Sequence, residues 1–483
     1  MESTIGADYA YNLIYQIVRI VAPVFTAPYI ARVIGAEGVG AFAFTYSVAD
    51  YFGLFAMLGI KNYGNRSIAA VYKSRNESSR VFWNIYAVQI ATSLFACLVY
   101  IIYGTTVRDE TKAITCLQFF FVVSAFFDID WFFYGMHQFR LIAMRSTVVK
   151  IISILLIFLF VKKSGDLPLY TIIMAGGVLL SSIALWPAAL KQIDFLNPDL
   201  NRIRENIKPI LALFVPVIAV SVYRLMDKIM LGVMTDMAQV GYYENAEKII
   251  SVSNGVIVAF GTVMLPRMSY LAASGETRKT EEYIQKSMEG ILFIVSLLAF
   301  GIIGVAPHFT SVFYGDEFLA CAPLMTGLAV TLPIMGFANV IRTQYLIPMK
   351  KDGVYILSGL IGAVLNLVLN LLLLPRYGAI GAVVSTVLTE FVVAFVQSFM
   401  VRKELALARY VKNGVFPLGA GGVMCFILRQ FCERVTASPL MLAVEIFLGV
   451  FIFFVLSFVY ALVNKESMLS SMIRKGKNRV HGI

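Results

Sequence analysis

The sequence predicts an all-α polytopic membrane protein with about fourteen transmembrane helices. Three observations carry that reading. Of 483 residues, 59% are hydrophobic and 14% charged, with a mean hydropathy of +0.79, whereas soluble domains carry about 25% charged residues. The apolar residues gather in runs of roughly 18–25, the length that crosses a hydrocarbon core, and windows such as 151–161 and 440–463 show almost no polar face. Lys and Arg fall between the runs, on alternate connections. A large soluble fold is excluded because its helices would each need a polar side turned to water.

Taken in order, the apolar runs place spans near 9–31, 41–60, 81–103, 114–135, 147–161, 168–190, 209–231, 240–266, 288–306, 318–340, 353–374, 378–400, 414–428 and 439–463. The first begins among Glu2 and Asp8 rather than a basic segment and continues too long for a cleaved signal peptide, so it is expected to stay attached as a span. Cytoplasmic connections should be rich in Lys and Arg. With both termini cytoplasmic, the inner segments hold 28 of the 40 basic residues and the outer loops 8. Shifting the pattern by one span destroys this alternation. The net charge of +11 is therefore mostly a topological signal directed at an anionic cytoplasmic leaflet, and it implies membrane lipid rather than nucleic acid as a partner.

Other functional classes lack their residues. Cys97, Cys116, Cys321, Cys425 and Cys432 are odd in number and without CxxC spacing, so neither disulfides nor zinc is indicated. His137, His308 and His481 form no ligand pair. Most outer loops are too short to fold a domain of their own, and no GxxxxGK[ST] motif is present, which argues against ATP hydrolysis. A membrane enzyme that polymerises or transfers glycans, the rival reading from a different class, would need catalytic groups on a substantial outer loop.

An internal repeat divides the chain. Val33-Ile34-Gly35 followed by Val39-Gly40-Ala41-Phe42 is echoed by Met230-Leu231-Gly232 followed by Val240-Gly241-Tyr242-Tyr243. Duplicated halves are a transporter habit, since two repeats rocking about a midplane site give alternating access. The division expected is an N-terminal six-helix lobe at 1–190, a basic cytoplasmic linker at 191–208, a second six-helix lobe at 209–401, and two further helices with a basic tail at 402–483.

Ionisable residues within spans are the main functional signal, because a charge at the bilayer centre costs at least about 2.5–3.5 kcal/mol. Arg19 shares a helical face with Asn12 and Tyr15, and Asp50 lies at comparable depth in the second span, where the two either pair or meet a substrate. Arg224, Asp227 and Lys228 are spaced by one turn, as are Glu244, Glu247 and Lys248 in the next span. They line a water-filled cavity or neutralise one another. Glu390 stands mid-span, Asn366 and Asn370 share one helix face, and Glu445 has no evident partner. Asp128 and Asp130 beside Trp131 read as an inner gate or interfacial ion-pair site, with Trp131 at headgroup depth and Arg140 or Arg145 as the cation.

Several strings are specific. Phe126-Phe127-Asp128-Ile129-Asp130-Trp131-Phe132-Phe133-Tyr134-Gly135, with Phe139-Arg140 and Arg145 after it, closely resembles the polysaccharide-transport flippases that move O-antigen or capsule repeat units. So do Asp227-Lys228-Ile229-Met230-Leu231-Gly232, Tyr242-Tyr243-Glu244-Asn245-Ala246-Glu247-Lys248, Tyr314-Gly315-Asp316-Glu317-Phe318 and Pro375-Arg376-Tyr377-Gly378-Ala379-Ile380-Gly381-Ala382. The final two spans match in hydropathy alone. The resemblance implies a member of the multidrug/oligosaccharidyl-lipid/polysaccharide exporter superfamily, with two six-helix lobes around a central cavity and two extra helices.

It further implies a bacterial inner-membrane transporter, not an enzyme, that flips an oligosaccharide on undecaprenyl pyrophosphate by alternating access. Arg19, Arg224, Lys228 and Lys248 are the cations suited to a pyrophosphate, while Asp50, Asp128, Asp130, Asp227, Glu244, Glu247 and Glu390 leave the cavity without a net positive excess. No cofactor is implied. Coupling to a proton or sodium gradient and association with polysaccharide polymerase machinery are compatible with it. An ion-coupled exporter of small drugs from the same superfamily is the alternative, with Glu390 or Asp50 carrying the proton.

Overall fold

The computed structural model describes residues 2–107 and 109–463, and for 2–24, 216, 219–220 and 222–224 the backbone path only. The predicted basic tail, 464–483, and Arg108 lie outside the described residues. Every described element is helical: α1 (Glu2–Met57), α2 (Ile60–Val71), α3 (Arg75–Thr106), α4 (Asp109–Phe127), α5 (Asp130–Gly135), α6 (Phe139–Phe160), α7 (Leu167–Ile183), α8 (Trp186–Leu190), α9 (Leu200–Met234), α10 (Met237–Ala273), α11 (Thr277–Tyr314), α12 (Cys321–Ala329), α13 (Thr331–Ile341), α14 (Asp352–Met400), α15 (Leu407–Cys432) and α16 (Pro439–Val463). Short 3-10 turns stand at Ser164–Asp166 and Asp316–Phe318, and a π-turn at Arg342–Leu346 continues α13. Among the described residues, eleven segments are long and apolar enough to cross a membrane, and every predicted span is mostly helical.

Two pairs of predicted spans run on as single elements bent at glycine. Gly35 (φ 77°) interrupts α1 and Gly378 (φ 54°) interrupts α14. Both sit at the left-handed φ that a Cβ disfavours, so each bend is written into the residue type. The predicted span 114–135 is also broken, between α4 and α5 at Asp128 and Ile129. The inner connections expected as polar loops are largely helical. α2 occupies most of 61–80, α9 begins inside 191–208, and α10 and α11 leave only Ser274–Glu276 between them.

Residue contacts gather into two compact units, Met1–Gly241 and Tyr242–Ile483. In the N-terminal unit α4 packs on α1, α3 and α7, and α9 lies against α1, α2 and α3. Its core is aromatic: Phe82, Tyr86, Trp131, Phe132 and Phe133 are buried together with Ile60, Ile68 and Ile210. The repeat glycines meet in this unit. A Cβ on Gly40 would lie 1.7 Å from the Met237 carbonyl oxygen, and one on Gly241 would lie 2.0 Å from that of Ala36, so these two backbones cross without room for a side chain.

In the C-terminal unit α11 is the hub, packing against α12, α13, α15 and α16, while α14 packs on α12 and α13. Val305, Met424, Leu428 and Phe453 form the core that joins α15 and α16 to α11. Large apolar side chains such as Phe426, Phe447 and Phe451 stay exposed on α15 and α16, as expected for helices whose outer faces meet lipid rather than water.

Candidate functional site

The charged cluster of the N-terminal unit grows out of the α4–α5 break. Where the helix stops, the Asp128 carboxylate accepts from the Asp130 amide at 3.1 Å, and two carbonyls lose helical donors. Gln89 of α3 supplies them: its Nε2 donates to Ala125 O at 2.8 Å and Asp128 O at 2.9 Å. Its Oε1 in turn accepts from Trp131 Nε1 at 3.0 Å. One buried amide thereby satisfies a break that would otherwise leave polar groups unpaired in an apolar core.

Each acid has its own cation. Lys61, at the start of α2, lies 2.9 Å from Asp128, and Arg145 of α6 forks onto Asp130 at 2.9 and 3.1 Å. Arg145 is further held by Ser181 O at 3.0 Å and Ser146 Oγ at 2.9 Å. Trp131, expected at headgroup depth, is packed inside the protein: it is 1% exposed and stacks on Phe82 with ring centroids 5.3 Å apart. Arg140, the other candidate cation, is exposed and borders a surface pocket with His137, Gln138, Leu141 and Met144.

Higher along this unit, Asp50 on α1 and Asp227 on α9 both act electrostatically on the Tyr51 phenol, whose hydroxyl donates to Ser221 O at 3.5 Å. Asp227 is 5% exposed, and Lys228 is half-buried. The side chains of Arg19 and Arg224 lie outside the described residues, and with them the expected Arg19–Asp50 pair.

In the C-terminal unit, Lys248 of α10 lies 3.3 Å from Glu244 one turn earlier and 3.4 Å from Asn245 Oδ1. The start of α10 is pinned by Tyr314, which donates to Asn245 O at 3.0 Å, and by the Cys321 thiol on Tyr242 O at 3.3 Å. Glu247 is half-buried on the same helix. Glu390 of α14 is 8% exposed and has no hydrogen-bond or ion-pair partner among the described residues; the charge that acts on it is that of Arg342. Asn370 and Asn366 are buried on α14 and bond to each other at 3.2 Å.

The sequence profile of the family described as "Polysaccharide biosynthesis protein" matches residues 5–272. The chain belongs to that family. Within it, a relative from Shigella dysenteriae described as "Putative O-antigen transporter" is 21% identical over 378 residues, covering 77% of this chain and 93% of the relative. A relative of the same description from Escherichia coli strain K12 is 22% identical over 414 residues, covering 82% and 97%. The fold is that of a solved lipid II flippase, MurJ in an inward closed conformation, with a TM-score of 0.76 at 15% identity over 94% of this chain and all of the flippase.

In this polysaccharide biosynthesis family member the in-span charges thus divide into two kinds. Asp128, Asp130, Glu244 and Lys248 have opposite charges at ion-pair distance, whereas Glu390 has none among the described residues. Lys61, Gln89 and Arg342 escaped the sequence reading as site residues. Lys61 opens a segment read as an inner loop, and a glutamine in an apolar run carries no charge signal, so only the chain's own folding reveals what they serve.

Proposed function

We propose that the protein is a flippase that carries lipid-linked oligosaccharide repeat units across the membrane by alternating access, for O-antigen, capsule or exopolysaccharide assembly. The observation that carries this reading is the family match over residues 5–272, continued by likeness along 82% of the chain to a relative described as an O-antigen transporter. A multi-pass helical protein with polar groups buried along its spans is suited to that task, since the sugar and phosphates need polar neighbours while a polyprenyl tail can stay in lipid. The substrate proposed is an oligosaccharide on undecaprenyl pyrophosphate, and polysaccharide polymerase machinery is the proposed partner.

The residues proposed to face the substrate are Arg19, Asp50, Arg224, Asp227 and Lys228 on the first unit and Glu244, Glu247, Lys248 and Glu390 on the second. Asp128, Asp130 and Trp131 are proposed to hold the inner end of their lobe shut, with Arg140 at its rim. Coupling to a proton or sodium gradient is proposed to run through Glu390. A location in the bacterial inner membrane is proposed with the function, and both termini are proposed to be cytoplasmic, an orientation supported by the distribution of the 40 basic residues.

Deleting the gene tests the function. Lipid-linked units should still be made, remain on the cytoplasmic leaflet, and yield no surface polymer; normal surface polymer in a strain with no paralogue would refute the proposal. Orientation is tested separately with single cysteines in intact cells. Those at Asn76, Asn201 and Ser274 should resist an impermeant thiol reagent and one at Asp236 should react, while the opposite pattern would invert the topology.

A further inference from the structure

His308, Cys432 and Glu445 come from three different helices, α11, α15 and α16, and their side chains meet inside the C-terminal unit. An imidazole nitrogen, the thiol sulfur and a carboxylate oxygen all lie within 4.8 Å of one another. Glu445 is 0% and Cys432 7% exposed. His308 Nδ1 stands 2.5 Å from Glu445 Oε1, but Glu445 Oε2 is buried with no hydrogen-bond partner. The Cys432 thiol reaches Gly304 O at 3.7 Å and also lies within hydrogen-bonding reach of the Glu445 carboxylate. A buried carboxylate in an apolar core is costly unless it is fully matched, and one imidazole with one thiol, a weak donor, leaves much of that cost standing.

We propose that His308, Cys432 and Glu445 bind one divalent transition-metal ion of the zinc class, which fastens α15 and α16 to α11. The donor set suits such an ion: one imidazole nitrogen, one thiolate and one carboxylate, with Glu445 Oε2 free to complete four-coordination as a bidentate ligand. Bond lengths of about 2.0–2.3 Å separate neighbouring donors on a tetrahedral ion by roughly 3.2–3.6 Å, so the His308–Glu445 contact opens by about 1 Å while the three donors otherwise already lie within reach. Charge also balances. A neutral imidazole, a thiolate and a carboxylate cancel the two charges of the ion, leaving a neutral group in apolar surroundings. Binding releases the thiol proton of Cys432. Arg429, one turn before Cys432, is engaged elsewhere, its Nη2 donating to Thr326 Oγ1 at 3.2 Å.

The site is tested on the full chain purified in detergent, stripped with a chelator and titrated with Co²⁺. The expected result is saturation near one ion per chain, with the visible bands of four-coordinate cobalt, a near-ultraviolet thiolate-to-cobalt band, and displacement by Zn²⁺. Cys432→Ser should abolish the thiolate band, and Glu445→Gln should weaken binding at least tenfold while keeping it. Absence of a thiolate band in the wild-type protein would overturn the proposal and leave His308 and Glu445 a hydrogen-bonded pair only; so would a band that survives Cys432→Ser. Should Cys432→Ser not fold, the wild-type protein decides alone. Its thermal midpoint should rise on adding Zn²⁺ and fall on chelation, and an unchanged midpoint would count against the site.

Discussion

The charged cluster around the α4–α5 break, half-buried, and the Glu390 site on α14, buried, both lie inside helical units, yet they are built on opposite terms. At the break, Asp128 and Asp130 each have a cation within about 3 Å, 2.9 Å in both cases, and the loosened backbone is hydrogen-bonded by Gln89. Around Glu390 no such partner stands among the described residues, and Arg342 acts on it only through its field. A sequence scan counts all three carboxylates alike, as charges that lipid should forbid. The difference teaches that equal cost in a sequence hides unequal pairing in the fold, and it separates the two proposals for these residues: the matched acids as parts of the scaffold, the unmatched Glu390 as a group that meets something passing or bound.

The sharpest way to break this distinction is to remove one cation from the matched cluster. Arg145→Ala leaves the half-buried Asp130 beside Asp128 without its cation and should cost several kcal/mol at most, less than a fully buried pair would, about 3–5 kcal/mol, read as a loss of folded protein in the membrane. Adding Asp130→Asn should restore most of that protein. If Arg145→Ala alone leaves folded levels unchanged, the cluster is not structural.

Glu390→Gln is the complementary change and should do the reverse. Removing a charge that lacks a matched partner should leave the membrane level and thermal midpoint within about 1 kcal/mol of the original, since nothing is stranded. Transport should fall at least tenfold and lose its response to the ion gradient. A drop in folded protein instead would place Glu390 with the matched residues.

An exposed pair sets the lower end of the scale. Glu404, in the turn between α14 and α15, is bonded to Lys351 and to the Tyr345 hydroxyl. The Lys351 ammonium, and after it Tyr345, hold its carboxyl below the usual glutamate range. A carboxyl depressed in the folded state stabilises fully above its unfolded value, about 4.3, and the gain is lost as pH falls through the folded value. Water screens this pair, so the effect should not exceed about 0.2–1 kcal/mol. It is read as a small decline in thermal midpoint at acid pH that Glu404→Gln flattens.

How much of this was legible in the sequence follows from the same physics. Hydropathy and basic-residue spacing report the lipid, which acts on every residue of a span, so the positions of the spanning helices could be read directly. Even the bends were written locally, because Gly35 and Gly378 mark them. The break at Asp128 was hidden by the apolar run around it, since Gln89 repairs it from another helix. Arg145 was foreseen, with Arg140 as the alternative, as a cation for the two acids, but Lys61 was not foreseen for Asp128, because it opens a stretch that reads as loop. His308 and Glu445 are 137 positions apart, and no local spacing announces a group assembled from three helices. Long-range pairing decides which charges are quiet, and pairing is the one thing a linear scan does not contain.

The central claim, that these helices carry a lipid-linked oligosaccharide from one leaflet to the other, is most directly tested in vesicles. The purified full-length protein is reconstituted with such a lipid in both leaflets, and an impermeant reagent that modifies the sugar is added outside. Vesicles without protein should protect the inner-leaflet pool. With the protein, that pool should become reactive over time, and the rate should fall in Glu390→Gln while Arg145→Ala/Asp130→Asn, once folded, retains it. An inner pool that stays protected in vesicles containing folded wild-type protein, with the ion gradient imposed, would contradict the account.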